Sequence, residues 1–293
     1  MTEARQRQGR VAHDRMVRGR GQFLDDVQLP GLCHAAFVRS PHAHARITQI
    51  CTDDALRIPG ALAVLTPADL LPHIHAVRPG EPAVNAYARG YNRYPLPHDT
   101  VTFSGEAVVA VVAATRYLAE DMAEAVQVDY APLPAVLDVE HSLAADALRI
   151  HPELSDNILF YRRFGEGEVD RAFAAADLVF DQTFTFPRQT AIPLETRGVI
   201  AAFESGVNRF TVWSSTQAPH QARTIFAHVL GVPEGDVRVI APDIGGVLGS
   251  KAVGIRRRSS WPFWPGVCTG RLNGSKIAAN TCWPVPMPTR VLF

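Results

Sequence analysis

Trp213-Ser214-Ser215-Thr216-Gln217-Ala218-Pro219-His220 and Asp243-Ile244-Gly245-Gly246-Val247-Leu248-Gly249-Ser250-Lys251 are the stretches around which this chain is organised. Each follows a short apolar run, Phe210 to Trp213 and Val237 to Ile240, and each then breaks into small residues. That pattern predicts two strand-to-turn junctions. Between them Ala218 to Leu230 is amphipathic, with Ala222, Ile225, Phe226, Val229 and Leu230 on one side. Gly231 stands where a helix stops. Two such turns can close on one small ligand. The glycines let main-chain N–H groups approach it closely. A helix starting at Pro219 turns its free N–H groups and positive dipole end the same way.

Working outward, 293 residues with 47% hydrophobic and 20% charged content are enough for about two domains with real cores. Formal net charge is zero, so no polyanion partner is expected, and the basic arginines of residues 1–18 read as a solvated arm rather than a nucleic-acid contact. No apolar run approaches the roughly 18 to 20 residues of a membrane span. Cys33, Cys51, Cys268 and Cys282 form no CxxC pair and no zinc spacing. They read as reduced thiols of a cytoplasmic protein. His42 with His44, and His73 with His75, lack a third ligand nearby and read as ordinary histidines, so no metal-ligating residue is assigned.

Residues 19–136 read as one α+β domain. Leu32 to Arg39 and Ala43 to Ile50 are expected strands. Thr52 and Thr66 start short helices, the second with Pro67 at its first position and Asp69 at its third. Residues 72–100, rich in Pro, Gly, His and Tyr, read as loop. Ala107 to Ala114 is a buried strand, and Thr115 caps a helix with Leu118, Met122 and Ala125 inward. Residues 137–164 read as a linker. From Gly165 a second unit begins, with a helix to Ala175 and strands at Leu178 to Phe186, Gly198 to Phe203 and Phe210 to Trp213.

Several segments, in order, resemble one family. They are Gly19-Arg20-Gly21-Gln22-Phe23-Leu24-Asp25-Asp26, Arg39-Ser40-Pro41-His42-Ala43-His44-Ala45-Arg46-Ile47, Gly105-Glu106-Ala107-Val108-Val109, Val128-Asp129-Tyr130-Ala131-Pro132-Leu133-Pro134, Glu195-Thr196-Arg197-Gly198, Ser215-Thr216-Gln217-Ala218-Pro219-His220 and Gly245 to Lys251. They are similar to the start of the large, molybdenum-binding subunit of the xanthine dehydrogenase and aldehyde oxidase family, of the carbon monoxide dehydrogenase large-chain type. The resemblance implies an α+β chain: an α/β-hammerhead domain at 19–136, then the truncated start of a mixed α/β molybdopterin-binding domain at 165–251. It implies hydroxylation of an aldehyde, a heteroaromatic compound or carbon monoxide with oxygen from water. It also implies a molybdenum–molybdopterin cofactor, in the cytosine dinucleotide form, with FAD on a medium subunit and 2Fe-2S clusters on a small one.

By the same resemblance Gln217 sits against an oxo ligand of the metal, and Gly245, Gly246, Leu248 and Gly249 lie beside the cofactor. An amide can bond such a ligand without adding charge, and fixed main-chain donors in a dry site stabilise anionic groups. The alternatives are a Gln217 that caps the following helix and glycines that make an ordinary turn. Glu195 either orients the site from behind or is a surface acid. A phosphate loop is ruled out at Gly245 to Lys251, because Ser250 separates Lys251 from Gly249 and no Ser or Thr follows the lysine. The family's turn is usually Gly-Gly-Gly-Phe-Gly. Here Val247 and Leu248 replace its third glycine and its aromatic, and a valine resists positive φ.

After Lys251 the family pattern stops. No Asp or Glu follows Asp243, and Trp261, Trp264, Trp283 and a series of prolines mark residues 252–293 as an aberrant Pro/Trp-rich tail, read as the product of a frameshift. Its prolines predict no sustained helix or central strand. The family's catalytic glutamate belongs to the half that would follow, so no catalytic residue is assigned. Two functions are expected to compete: a large-subunit fragment of a molybdenum hydroxylase, inactive alone, and a non-catalytic hammerhead module that acts as a scaffold for other subunits.

Overall fold

The architecture comes from a computed structural model, which describes residues 11–77, 86–88, 93–162, 165–184, 186, 192–246, 251 and 276–281. The helices are α1 (Val11–Val17), α2 (Asp53–Arg57), α3 (Pro67–Leu70), α4 (Arg116–Ala125), α5 (Val139–Leu143), α6 (Val169–Ala175) and α7 (Pro219–Leu230). The strands are β1 (Leu32–Arg39), β2 (Ala45–Cys51), β3 (Ala61–Leu65), β4 (Ala86–Ala88), β5 (Thr100–Val101), β6 (Ala107–Ala113) and β7 (Gln127–Pro132). They continue with β8 (Phe160–Arg162), β9 (Arg197–Glu204), β10 (Arg209–Ser214), β11 (Val237–Ile240) and β12 (Lys276–Thr281).

A seven-stranded sheet in the order β11-β10-β9-β12-β1-β6-β3 carries the molecule, beside a three-stranded sheet β5-β2-β7 and the pair β4-β8. Strand β6 shows why the first half folds. Its sequence AVVAVVA is apolar without alternation, as a strand covered on both faces must be. Ala110 and Val112 enter one core with Cys33, Ala35 and Phe226, whereas Val109, Val111 and Ala113 enter a second with Ala119 and Met122 of α4. The Thr115 hydroxyl accepts the Leu118 N–H at 3.3 Å, which starts α4 where the sequence predicts. At α3 the Asp69 carboxylate accepts both the N–H and the hydroxyl of Thr66, at 3.0 and 2.7 Å.

In the second half, β10, α7 and β11 form a parallel crossover, with Phe210 paired to Val237 and Trp213 to Ile240. Helix α7 buries Ala222, Phe226, Ala227 and Val229, and Gly231 ends it at φ 66°. The first core is built from both halves, since Cys33, Ala63 and Val112 share it with Val199, Val212 and Phe226.

Five expectations are corrected. Leu178 to Phe186 alternates but is no strand over its described residues. Phe180, Phe184 and Phe186 are 82%, 75% and 86% exposed. Alternation specifies a strand only when a neighbour supplies the ladder. The second strand starts at Ala45, so His42 and His44 precede it. The stretch read as a linker holds α5, capped by Asp138, and β8. Similarly, the loop-like stretch 72–100 contributes β4 and the start of β5. Lastly, the tail supplies a central strand. β12 runs parallel to β1 and antiparallel to β9, so it joins the two halves of the large sheet. It does so in a proline-free interval, between Pro265 and Pro284.

Candidate functional site

Both turns singled out in the sequence lie at the same end of the parallel pair, after the C-termini of β10 and β11. That is where open α/β sheets bind ligands. After Ser214 the chain leaves β10. Ser215 is held to Gly198, whose carbonyl accepts its N–H at 3.3 Å and whose own N–H reaches the Ser215 hydroxyl at 3.1 Å. The Thr216 hydroxyl accepts the Ala218 N–H at 3.2 Å. Gln217 gives its N–H to the Lys251 carbonyl at 3.3 Å, and its side chain is exposed. The N-cap of α7 is Ala218, with no side-chain cap, so Gln217 does not cap the helix.

Glu195 is the centre of the other turn. Its Oε2 accepts the Gly245 N–H at 2.9 Å and the Lys251 ammonium at 2.5 Å. Its Oε1 accepts the Leu24 N–H at 3.4 Å, and its own N–H goes to the Gly245 carbonyl at 3.2 Å. The Glu195 side chain is 13% exposed and that of Lys251 fully buried, so this is no surface acid. A Cβ at Gly245 would lie 2.6 Å from the Glu195 Cβ, a distance only glycine allows. Gly246 adopts φ +99° and passes close to Pro193, which likewise calls for glycine. Because Gly245 gives its N–H to Glu195, it is not the free donor that the sequence suggested. Val247, Leu248 and Gly249 lie outside the described residues.

The Gly19–Asp26 motif docks against this same turn. Asp243 receives the Arg15 guanidinium through both oxygens and the Gln22 N–H at 2.7 Å, and it returns its own N–H to the Gln22 carbonyl at 2.9 Å. The Arg15 hydrogen bonds, then the Gln22 N–H, hold the Asp243 carboxyl below its ordinary value. A carboxyl depressed on folding stabilises above its unfolded value, near 3.9, and that stabilisation is lost as pH falls through the folded value. Acidification below about pH 4 should therefore release this tie, seen as loss of hydrogen-exchange protection at Gln22. Arg15→Ala should move that loss to higher pH.

Nearby, burial lowers both Arg39, to about 10, and Arg197 at the start of β9, with the charge of Arg197 adding to the effect on Arg39. Both remain charged at neutral pH. The Ser214 hydroxyl, which precedes the first turn, is buried without a hydrogen-bond partner among the described residues. The exposed Gln217 side chain and the close main-chain approach that Gly246 allows fit a polar cofactor at this end of the sheet.

The histidine pairs do not join this site. His44 Nδ1 bonds the Pro134 carbonyl at 2.6 Å, and the His75 ring lies 6.0 Å from that of His228. Sequence reasoning missed Lys251 and Asp243. A buried lysine requires an acid partner, but that partner is 56 residues away in the chain.

Comparison with known proteins agrees with the geometry. Residues 18–134 match the aldehyde oxidase and xanthine dehydrogenase a/b hammerhead domain, and residues 150–259 match the molybdopterin cofactor-binding domain. The second match continues eight residues past Lys251, where the sequence reading ended the family pattern. Among relatives, the carbon monoxide dehydrogenase large chain of Afipia carboxidovorans is 38% identical over 256 residues, covering 83% of this chain and 31% of the relative. The nicotine 6-hydroxylase large subunit of Paenarthrobacter nicotinovorans is 37% identical over 246 residues, covering 83% and 29%. Quinoline 2-oxidoreductase from Pseudomonas putida 86 superimposes with a TM-score of 0.79 at 30% identity, over 92% of this chain and 34% of that one. The Cu,Mo-CO dehydrogenase gives 0.78 at 33%, over 94% and 35%. The chain thus spans about a third of the length of the proteins it matches.

Proposed function

We propose that this chain, a hammerhead domain followed by the start of a molybdopterin-binding domain, works as part of a molybdenum hydroxylase large subunit of the xanthine dehydrogenase and aldehyde oxidase family. The reading is carried by one observation: the Gln217 turn and the Gly245 turn hang on the shared residue Lys251. When bound, a molybdenum–molybdopterin group, in the cytosine dinucleotide form, supplies two-electron oxidation with an oxygen atom from water. The exposed Gln217 carboxamide donates a hydrogen bond to the polar side of that group. Gly246 provides close main-chain approach, and Gly245 gives the turn its shape. Leu248 and Gly249, outside the described residues, are assigned to the same contact by the family resemblance. Glu195 acts from behind, by fixing the turn.

The substrate is a small aldehyde, heteroaromatic molecule or carbon monoxide. FAD and 2Fe-2S clusters reside on medium and small partner subunits, and the complex is cytoplasmic. No helix among the described residues is long and apolar enough to cross a membrane. The chain departs from the family through a frameshift in the tail, where the family match ends at residue 259. Translation of the other two frames after codon 251 should restore a family-like continuation, and its absence in both frames would refute the frameshift.

Metal and pterin analysis tests the function. The chain produced together with the rest of a related large subunit and both partner subunits should carry molybdenum and pterin near one per complex. The chain alone should carry far less and show no turnover. A complex that forms but stays free of metal would instead support the scaffold role.

A further inference from the structure

We infer that Lys251 is the positioning residue that couples the two halves of the site, acting on one turn through its side chain and on the other through its main chain. The ammonium of Lys251 reaches Glu195 Oε2, the same oxygen that accepts the Gly245 N–H. The carbonyl of Lys251 accepts the Gln217 N–H at 3.3 Å and the Thr216 hydroxyl at 3.4 Å. One residue therefore sets the place of the glycine turn against Glu195 and of the Gln217 turn against the end of β10.

The energetics favour such a joint. A fully buried ammonium needs its carboxylate, because the desolvation of either charge alone is severe. The lysine stem is thus pinned at its far end, and the pinned stem fixes the peptide group at its near end. Charge-assisted hydrogen bonds in a dry setting are stronger than neutral ones. A glycine turn would otherwise be the most mobile part of the site, since glycine loses the most backbone freedom on ordering. Lys251 lets the chain hold two glycines at Gly245 and Gly246 without losing a fixed geometry. Its consequence for cofactor placement rests on the proposed function, whereas the coupling itself is a property of the chain and is measurable without any cofactor.

Amide hydrogen exchange on the full chain, read as protection factors, tests it. Glu195→Gln removes the charge partner of Lys251 on the glycine side. Protection should fall about tenfold further at Gly245 and also at Gln217, which lies on the far side of Lys251, than at Ala201 and Val212 in the sheet core, which report the global cost of the unpaired ammonium. Lys251→Met should loosen both turns in the same way. The double variant Glu195→Gln/Lys251→Met breaks the same joint once, so protection at both amides should stay within about threefold of the Lys251→Met single variant (about 0.7 kcal/mol at 1.4 kcal/mol per decade), rather than falling by the sum of the two losses. A loss confined to Gly245, or losses that simply add in the double variant, overturns the coupling. A loss of equal size at Ala201, Val212 and both turn amides would mean general destabilisation alone and would overturn it as well. Neither result bears on whether molybdenum binds in the assembled complex.

Discussion

Glu195→Ala is expected to destabilise the folded chain by about 3–5 kcal/mol, the range for breaking a buried ion pair by removing one partner. The size follows from what is left behind. The Lys251 side chain is fully buried, so its ammonium cannot turn to water when the carboxylate is gone. The Gly245 and Leu24 N–H groups lose their acceptor at the same time. Adding Lys251→Met to Glu195→Ala should recover the part of the loss that comes from the unpaired ammonium. Urea unfolding of the four proteins of this cycle measures the coupling. A Glu195→Ala loss below about 1 kcal/mol, the size of an exposed pair, would show that the pair is open to solvent.

Phe226→Ala should be comparably severe, at about 3–5 kcal/mol. Phe226 is 1% exposed and sits where α7 packs on the sheet, in a cluster that also holds Cys33 and Val112 of the first half and Val199 and Val212 of the second. Its loss opens a cavity shared by both halves, so the unfolding transition should shift as a whole. Leu194→Ala, at a fully exposed position, should leave the midpoint unchanged. Two separate transitions in Phe226→Ala would show that the halves unfold independently, contrary to the common core.

The elements that were legible in the sequence are those decided locally. Thr115 and Thr66 announce helices because their caps act within three residues, and Gly231 ends α7 for the same reason. Strand β6 was legible because its apolar run needs burial on both faces. What was illegible depends on partners. The stretch 178–186 has the alternation of a strand, but alternation does not supply a neighbouring ladder. β12 was masked by the prolines on either side of it, although its six residues contain none.

The site divides in the same way. Gln217 and the glycines were found because a strand end followed by small residues is a local pattern, and the family resemblance gave it a ligand. The residues behind them were not found. Glu195 stood between two readings, and only the folded chain places Lys251 and Gly245 on one of its oxygens. Asp243 was read merely as the start of the turn, yet it anchors Arg15 and Gln22 from the opposite end of the chain. Long-range ion pairs leave no periodicity for the sequence to show.

Anomalous diffraction at the molybdenum edge, on crystals of this chain assembled with the rest of a large subunit and its partner subunits, tests the central claim most directly. The metal is predicted to lie beside the Gln217 side chain and the Gly245–Gly246 turn. A molybdenum peak far from both turns, or an assembled complex with no peak, would contradict it.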